Sequence, residues 1–101
     1  MIRMWITNKS NREITTDMSE SMVTFLSIAK QSGCIGSIFA EDDERIIVYT
    51  RWSNEITLEQ FRSSKDYHAQ EGQIIQSFVA AGFEIPEDIL FNSTANILFC
   101  N

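Results

Sequence analysis

Apolar and polar residues alternate along several short stretches of this chain and recur with helical spacing along others. Residues 2–7 alternate strictly, which is typical of a strand. Cys34–Glu41 and Arg45–Trp52 are two more strand-like runs, and the polar link between them has the length of a hairpin turn. A last strand is expected in the range Ile89–Cys100, where the alternation is looser.

The helical stretches lie between these strands. Residues 18–31 place apolar side chains on one stripe, and Gly33 is expected just past the end of that helix. Thr57 is the predicted N-cap of a short second helix. A longer helix is expected from about Lys65 to Ala81, ended by Gly82.

The order of elements is therefore β-α-β-β-α-β, which predicts a single α+β domain over residues 1–101. Its natural arrangement is ferredoxin-like, a four-stranded antiparallel sheet with both helices on one face. We expect Trp5 and Tyr49 on the sheet face opposite to Asn8 and Trp52, so the uncovered face is apolar too. A second copy of the sheet is the simplest cover, and this predicts a face-to-face homodimer.

Composition and charge exclude several classes of partner. The 101 residues carry a formal net charge of -6 and no basic cluster, so a nucleic-acid partner is not expected. Apolar runs are far shorter than the roughly 20 residues needed to cross a bilayer, and the N-terminus does not read as a signal peptide. We therefore expect a cytoplasmic protein with no membrane partner.

The sequence contains no familiar catalytic or metal-binding motif. Cys34 and Cys100 lie in no metal-ligand spacing and are expected to be buried apolar residues, so no metal site is predicted. No Ser/His/Asp set, phosphate-binding glycine loop or dinucleotide fingerprint is present. Candidate chemistry must therefore come from individual side chains.

The long helix carries the most informative of these side chains. Helical spacing places five residues on the face that should turn toward the sheet: Tyr67, Glu71, Ile74, Ile75 and Phe78. Glu71 is a carboxylate on an otherwise apolar stripe. Burial without a partner would raise its pKa and make it a candidate general base, whereas a place at the edge of the stripe would leave it in water.

Three other side chains allow two interpretations each. His68, the only histidine, is either an acid-base or haem-ligating group or a surface residue. Trp52 is either core packing or the wall of a pocket. Asn8, at the end of the first strand, is either part of a site or a turn cap.

Element order and local sequence together resemble a known family. The chain places β-α-β-β-α-β in about 100 residues, ends its third strand with VYTRW and continues with ITLEQFRSSKDYHAQ. It is similar in this to the antibiotic biosynthesis monooxygenase superfamily. The resemblance implies a dimeric α+β barrel in which each subunit holds a pocket between its helices and its sheet.

For the cofactor-free branch of that superfamily, the resemblance implies oxidation of a phenolic, quinol or polyketide-like small molecule by O₂, without metal or flavin. It assigns the base to Glu71 or His68 and the hydrogen-bond donor to Asn8. The aromatic slot for the substrate is expected from four side chains, Trp52, Tyr67, Phe25 and Phe78.

Two alternatives stay open. The haem-degrading branch uses an Asn after the first strand, a Trp after the third and a His on the long helix, and Asn8 and Trp52 match the first two. The histidine position falls on Glu71, however, and His68 lies one turn early; a carboxylate is a poor substitute for the imidazole that ligates haem. The second alternative is a non-catalytic ligand-binding or stress-response module with the same fold.

Overall fold

The computed structural model describes residues 1–91, and for residues 87–91 it describes the backbone. The elements in chain order are β1 Ile2–Asn8, α1 Thr16–Gln31, β2 Cys34–Glu41, β3 Arg45–Trp52, α2 Glu55–Arg62, α3 Lys65–Ala80 and β4 Glu87–Phe91. The predicted α+β class with an antiparallel sheet is confirmed. The strands lie in the order β2-β3-β1-β4. The rest of the predicted last strand, residues 92–101, lies outside the described residues.

Local signals set the ends of the helices. Gly33 and Gly82 have φ of 109° and 85°, in the left-handed region that favours glycine, and each follows a helix end as predicted. The predicted cap of α2 is wrong. Asn54 rather than Thr57 is its N-cap, because the Asn54 Oδ1 accepts a hydrogen bond from the backbone N–H of Thr57 at 2.9 Å.

The core lies between one face of the sheet and the helices α1, α2 and α3. Along β3 every second residue from Ile46 to Trp52 is buried, as the parity of the strand predicts. These side chains pack against Met18, Met22 and Phe25 of α1 and against Ile74 of α3. Cys34 is also buried, as predicted, whereas Cys100 lies outside the described residues.

The orientation of β1 corrects one prediction. Trp5 pairs with Val48, and directly paired residues of antiparallel strands share a face, so Trp5 lies on the helix side of the sheet. Its ring centroid is 4.9 Å from that of Phe25. Met4 pairs with Tyr49 on the outer face. Tyr49 is therefore on the predicted face and Trp5 is not, because the large indole fills the space beneath α1.

Candidate active site

The expected aromatic slot around Trp52 is filled by the protein itself. The Trp52 side chain is 1% exposed. Its ring stacks on Phe61 at 5.1 Å, and the Phe61 ring lies within 5.6 Å of both Phe25 and Tyr67. The indole N–H of Trp52 donates to the Thr50 hydroxyl at 3.1 Å, so its polar atom is satisfied inside the core.

The remaining space beside this aromatic cluster is about 10 Å³, which is room for one water molecule at most. Trp52 and Phe25 are therefore core residues rather than walls of an open pocket. Phe78 is core as well, because it is 1% exposed and its ring packs against Phe83 at 5.9 Å. The structure shows no open slot at Trp52, Phe25 and Phe78, and their role in substrate binding stays a prediction.

An open cleft lies instead between β1, α3 and the connector that precedes β4. It encloses about 120 Å³. Arg3 and Trp5 of β1 form its floor. Glu71 and two isoleucines of α3 form one wall, and Ile85 with Pro86 forms the other. Among the described side chains, the cleft thus combines a mostly apolar lining with one cationic and one anionic group, which is the usual composition of a small-molecule site.

Arg3 is the central polar residue of this cleft. It lies on the helix-facing side of β1 and is 5% exposed. Its guanidinium carbon lies 4.8 Å from the ring centroid of Trp5 and 5.1 Å from that of Tyr67. A buried cation is tolerated only where neighbouring groups stabilise the charge, and these two π faces do so. The rings also fix the plane of the guanidinium.

Two groups on α3 also lie against Arg3. One guanidinium nitrogen donates a hydrogen bond of 2.5 Å to the Tyr67 hydroxyl. The same nitrogen lies 3.9 Å from a carboxylate oxygen of Glu71. Because Tyr67 and Glu71 are one helical turn apart, the helix presents both to the same point of the sheet. The Ser64 hydroxyl caps α3 just before Tyr67 and so fixes where that turn begins.

The Tyr67 hydroxyl is held in its neutral form. Burial, together with a hydrogen bond to Glu71, raises the pKa of Tyr67 to about 12, although Arg3 acts in the opposite direction. The neutral hydroxyl accepts from Arg3 and keeps its own proton for the Glu71 carboxylate. The phenol therefore joins the cation to the carboxylate and holds both side chains in position.

Glu71 lies at the edge of its apolar stripe, which was one of the two predicted alternatives. Its side chain is 35% exposed, and it has Arg3 and Tyr67 as partners. The premise that Glu71 is buried without a partner is therefore wrong. Its carboxylate still faces the cleft and is still within reach of a small molecule bound there. What makes it a candidate base is its position in the cleft.

Two predicted site residues lie away from the cleft. His68 is exposed, and its ring stands nearly perpendicular to that of Tyr67, with 5.6 Å between ring centroids. Asn8 is exposed at the far end of β1, where its Oδ1 accepts from the backbone N–H of Ser10 at 2.8 Å. The prediction that Asn8 shares the face of Trp52 is wrong, and its side chain caps a turn.

Sequence reasoning missed Arg3, the residue on which the arrangement depends. The available signal was parity: Arg3 and Trp5 alternate with Ile2, Met4 and Ile6 on β1. An arginine two residues from a tryptophan on the same strand face is placed for cation–π contact. The aliphatic residues Ile2, Met4 and Ile6 concealed this signal, because their face of β1 is the more apolar one by sequence and therefore looks like the core face.

No family model and no curated protein matches this chain. Among solved structures, the chain is similar to a Deinococcus radiodurans protein, provisionally described as an antibiotic biosynthesis monooxygenase, whose crystal structure was determined at 1.40 Å resolution. The TM-score is 0.60 and the sequence identity 11%, and the likeness covers 100% of each chain. This chain has the fold of that monooxygenase structure. At this identity the likeness concerns the fold alone, and the predicted resemblance is confirmed at that level.

The residues present do not fit haem. The only histidine, His68, is exposed, and the aromatic cluster leaves about 10 Å³ beside Trp52. The cleft of about 120 Å³ is far too small for a porphyrin.

Among the described side chains, no group of three or more His, Cys, Asp and Glu is placed to hold a metal ion. No described helix has the length and apolar character needed to cross a bilayer.

Proposed function

We propose that this protein is a cofactor-independent monooxygenase that oxidises a small phenol or quinol with O₂ in the cleft above Arg3. The observation that carries the proposal is a carboxylate and a buried guanidinium on one mostly apolar cleft, with a neutral tyrosine hydroxyl bonded to the guanidinium. The fold shared with the Deinococcus radiodurans structure supports it.

The reaction needs a base, a site for the resulting anion, and protection from water. Glu71 takes the hydroxyl proton of the substrate. The Arg3 guanidinium, 3.9 Å from the Glu71 carboxylate, stabilises the phenolate that forms. Trp5 beneath Arg3 and the aliphatic walls keep water from the ring, which strengthens both interactions.

The oxidation balances without a further reductant. The phenolate gives one electron to O₂, and the substrate radical and superoxide then combine to form a carbon–oxygen bond at a ring carbon. The resulting hydroperoxide loses the hydrogen of that carbon and breaks its O–O bond. One oxygen atom stays in the quinone product and the other leaves as water.

Oxygen uptake with single-ring phenols and hydroquinones tests this function, with autoxidation measured in parallel without protein. With isotopically labelled O₂, we expect one labelled atom in the product, whereas an oxidase would release peroxide and leave the product unlabelled. Glu71→Gln is expected to lower the rate by about 10²-fold or more, the usual contribution of a general base. Glu20→Gln, an exposed carboxylate on α1, is the matched control.

Two results would contradict the assignment of the base. Turnover that survives Glu71→Gln removes Glu71 from the reaction. Turnover that is lost in His68→Ala but kept in Glu71→Gln moves the base to the exposed side of α3. Since His68 does not line the cleft, we expect His68→Ala to keep its activity.

A second candidate is a ligand-binding module of the same fold that performs no oxidation. The observation that favours it is the filled aromatic cluster, which removes the larger cavity expected at Trp52. Binding of phenols without any protein-dependent oxygen uptake would support this candidate over the monooxygenase.

The proposal includes a homodimer formed through the outer face of the sheet, in the cytoplasm. Ile38 is 56% exposed on that face, where it pairs with Tyr49. Met4 lies beside Tyr49 on β1. An apolar sheet face of this kind is a usual interface between two copies. Light scattering after size-exclusion chromatography should give a dimer for the wild type and a monomer for Ile38→Asp. A monomeric wild type at micromolar concentration would contradict it.

A further inference from the structure

The cleft also limits which molecules it can accept, and this inference rests on the proposed function. We infer that the substrate is an uncharged, single-ring phenol or hydroquinone, and that anionic rings and fused double rings are rejected. Three observations carry the inference: the volume of the cleft, its charge balance, and the position of Glu71 on the wall.

The size limit follows from the volume. The cleft encloses about 120 Å³. An enclosed cavity of roughly 150 Å³ is known to hold one benzene molecule, so this slightly smaller but open cleft takes a single ring at most between its walls. Its floor is fixed, because Arg3 and Trp5 are 5% and 8% exposed and packed beneath α3. A second fused ring exceeds this volume and would lie largely in water, since the wall at Ile85 is 65% exposed.

The charge limit follows from the two ionised groups. The guanidinium of Arg3 and the carboxylate of Glu71 lie 3.9 Å apart, so among the described side chains of the cleft each ionised group has a neighbour of opposite charge. A ligand carboxylate would approach Glu71 across a space only one ring wide, and close like charges are strongly disfavoured. The formal net charge of -6 adds a long-range repulsion against anions. A neutral hydroxyl, in contrast, donates directly to Glu71.

Binding measurements with phenol, benzoate and 2-naphthol test both limits without depending on turnover. By calorimetry or ligand-observed NMR, we expect phenol to bind at least about tenfold more tightly than benzoate. If both rings of 2-naphthol were enclosed, its larger apolar area would strengthen binding by about tenfold. Because the cleft encloses one ring, we expect 2-naphthol to bind no more tightly than phenol.

Two variants locate the effects. Glu71→Gln should bring benzoate binding close to that of phenol, whereas Glu20→Gln should not. Ile75→Ala opens one wall and should raise the affinity for 2-naphthol relative to phenol, whereas Val79→Ala, 53% exposed on the same helix outside the cleft, should not. In the unmodified protein, added phenol should shift the NMR signal of the Trp5 indole N–H and leave that of the buried Trp52 in place.

Each limit can be overturned separately. Benzoate that binds as tightly as phenol to the wild type refutes the charge limit, and 2-naphthol that binds tenfold more tightly refutes the size limit. Absence of phenol binding, or binding that leaves the Trp5 signal unmoved, refutes the whole inference. Phenol that binds at Trp5 but is never oxidised refutes the monooxygenase proposal and leaves the ligand class standing.

Discussion

The burial of the Tyr67 hydroxyl, together with its hydrogen bond to Glu71, gives the structure a pH-dependent part of its stability. At neutral pH, Tyr67→Phe removes a hydroxyl that accepts from a guanidinium that is 5% exposed. A hydrogen bond to a charged group contributes about 1.5–3 kcal/mol, so we expect the variant to lose about 2 kcal/mol of unfolding free energy. The phenyl ring keeps the packing, because only the oxygen is removed.

At alkaline pH the difference should disappear. The folded-state pKa of Tyr67 is about 12, above its ordinary value of 10.0. A raised folded-state pKa stabilises the protein below the unfolded value, and this stability is lost as the pH rises through the folded value. Two pKa units correspond to about 2.7 kcal/mol in full, and about 2 kcal/mol of this falls between pH 10 and 12, so the wild type should lose about 2 kcal/mol more than the variant over that interval.

Urea unfolding followed by circular dichroism, at steps from neutral pH to about pH 12, measures this difference directly. Lysines and other shared groups titrate in both proteins and cancel in the comparison. Tyr49→Phe, on the outer sheet face, is the matched control and should keep the alkaline loss of the wild type. A stability gap between wild type and Tyr67→Phe that stays constant over the whole range would refute the reasoning.

Three further substitutions test local features of the fold through their effect on stability. Gly72→Ala should stabilise the protein by about 1 kcal/mol in thermal unfolding, because a Cβ there meets nothing within 4 Å and glycine weakens a helix interior; a loss of stability would contradict this. Gly82→Ala should destabilise it by about 1 kcal/mol or more, since φ is 85° and the new Cβ would lie 2.8 Å from the Nε of Arg12; an unchanged melting temperature would show that the loop relaxes. Hydrogen bonds from two backbone N–H groups lower the pKa of Asp42 below its ordinary value of 3.8. The ionised carboxylate therefore stabilises the folded state above pH 3.8, and this stabilisation is lost as the pH falls through the lowered pKa. Asp42→Ala should therefore lose less stability than the wild type on acidification, and parallel acid titration curves would contradict this.

Local sequence was sufficient for most of the fold. Strands β2 and β3 begin and end at the predicted residues, because the alternation between Cys34 and Trp52 is interrupted only by a short polar turn. Helix α3 was predicted within one residue of its end, since Gly82 stops it. These features depend on neighbours in sequence, through the periods of two and 3.6 residues and the preferences of cap and turn residues.

The candidate site could be predicted only in part. The spacing of Tyr67 and Glu71 on α3 was readable from the chain, and both line or approach the cleft. Trp52 was also placed correctly on the helix side of the sheet. Whether it borders a cavity or fills one depends on Phe61 and Phe25, which reach it from α2 and α1. No local pattern contains that information.

The sequence by itself determined the elements, their order and the side of α3 that turns inward. Only the tertiary structure decided which face of β1 joins the core, because Ile2, Met4 and Ile6 form the more apolar parity and yet lie on the outer face. That choice brings Arg3 to Tyr67 across 64 residues of chain. The physical reason is volume: the indole fits the space beneath α1, and the guanidinium beside it then requires the partners that α3 supplies.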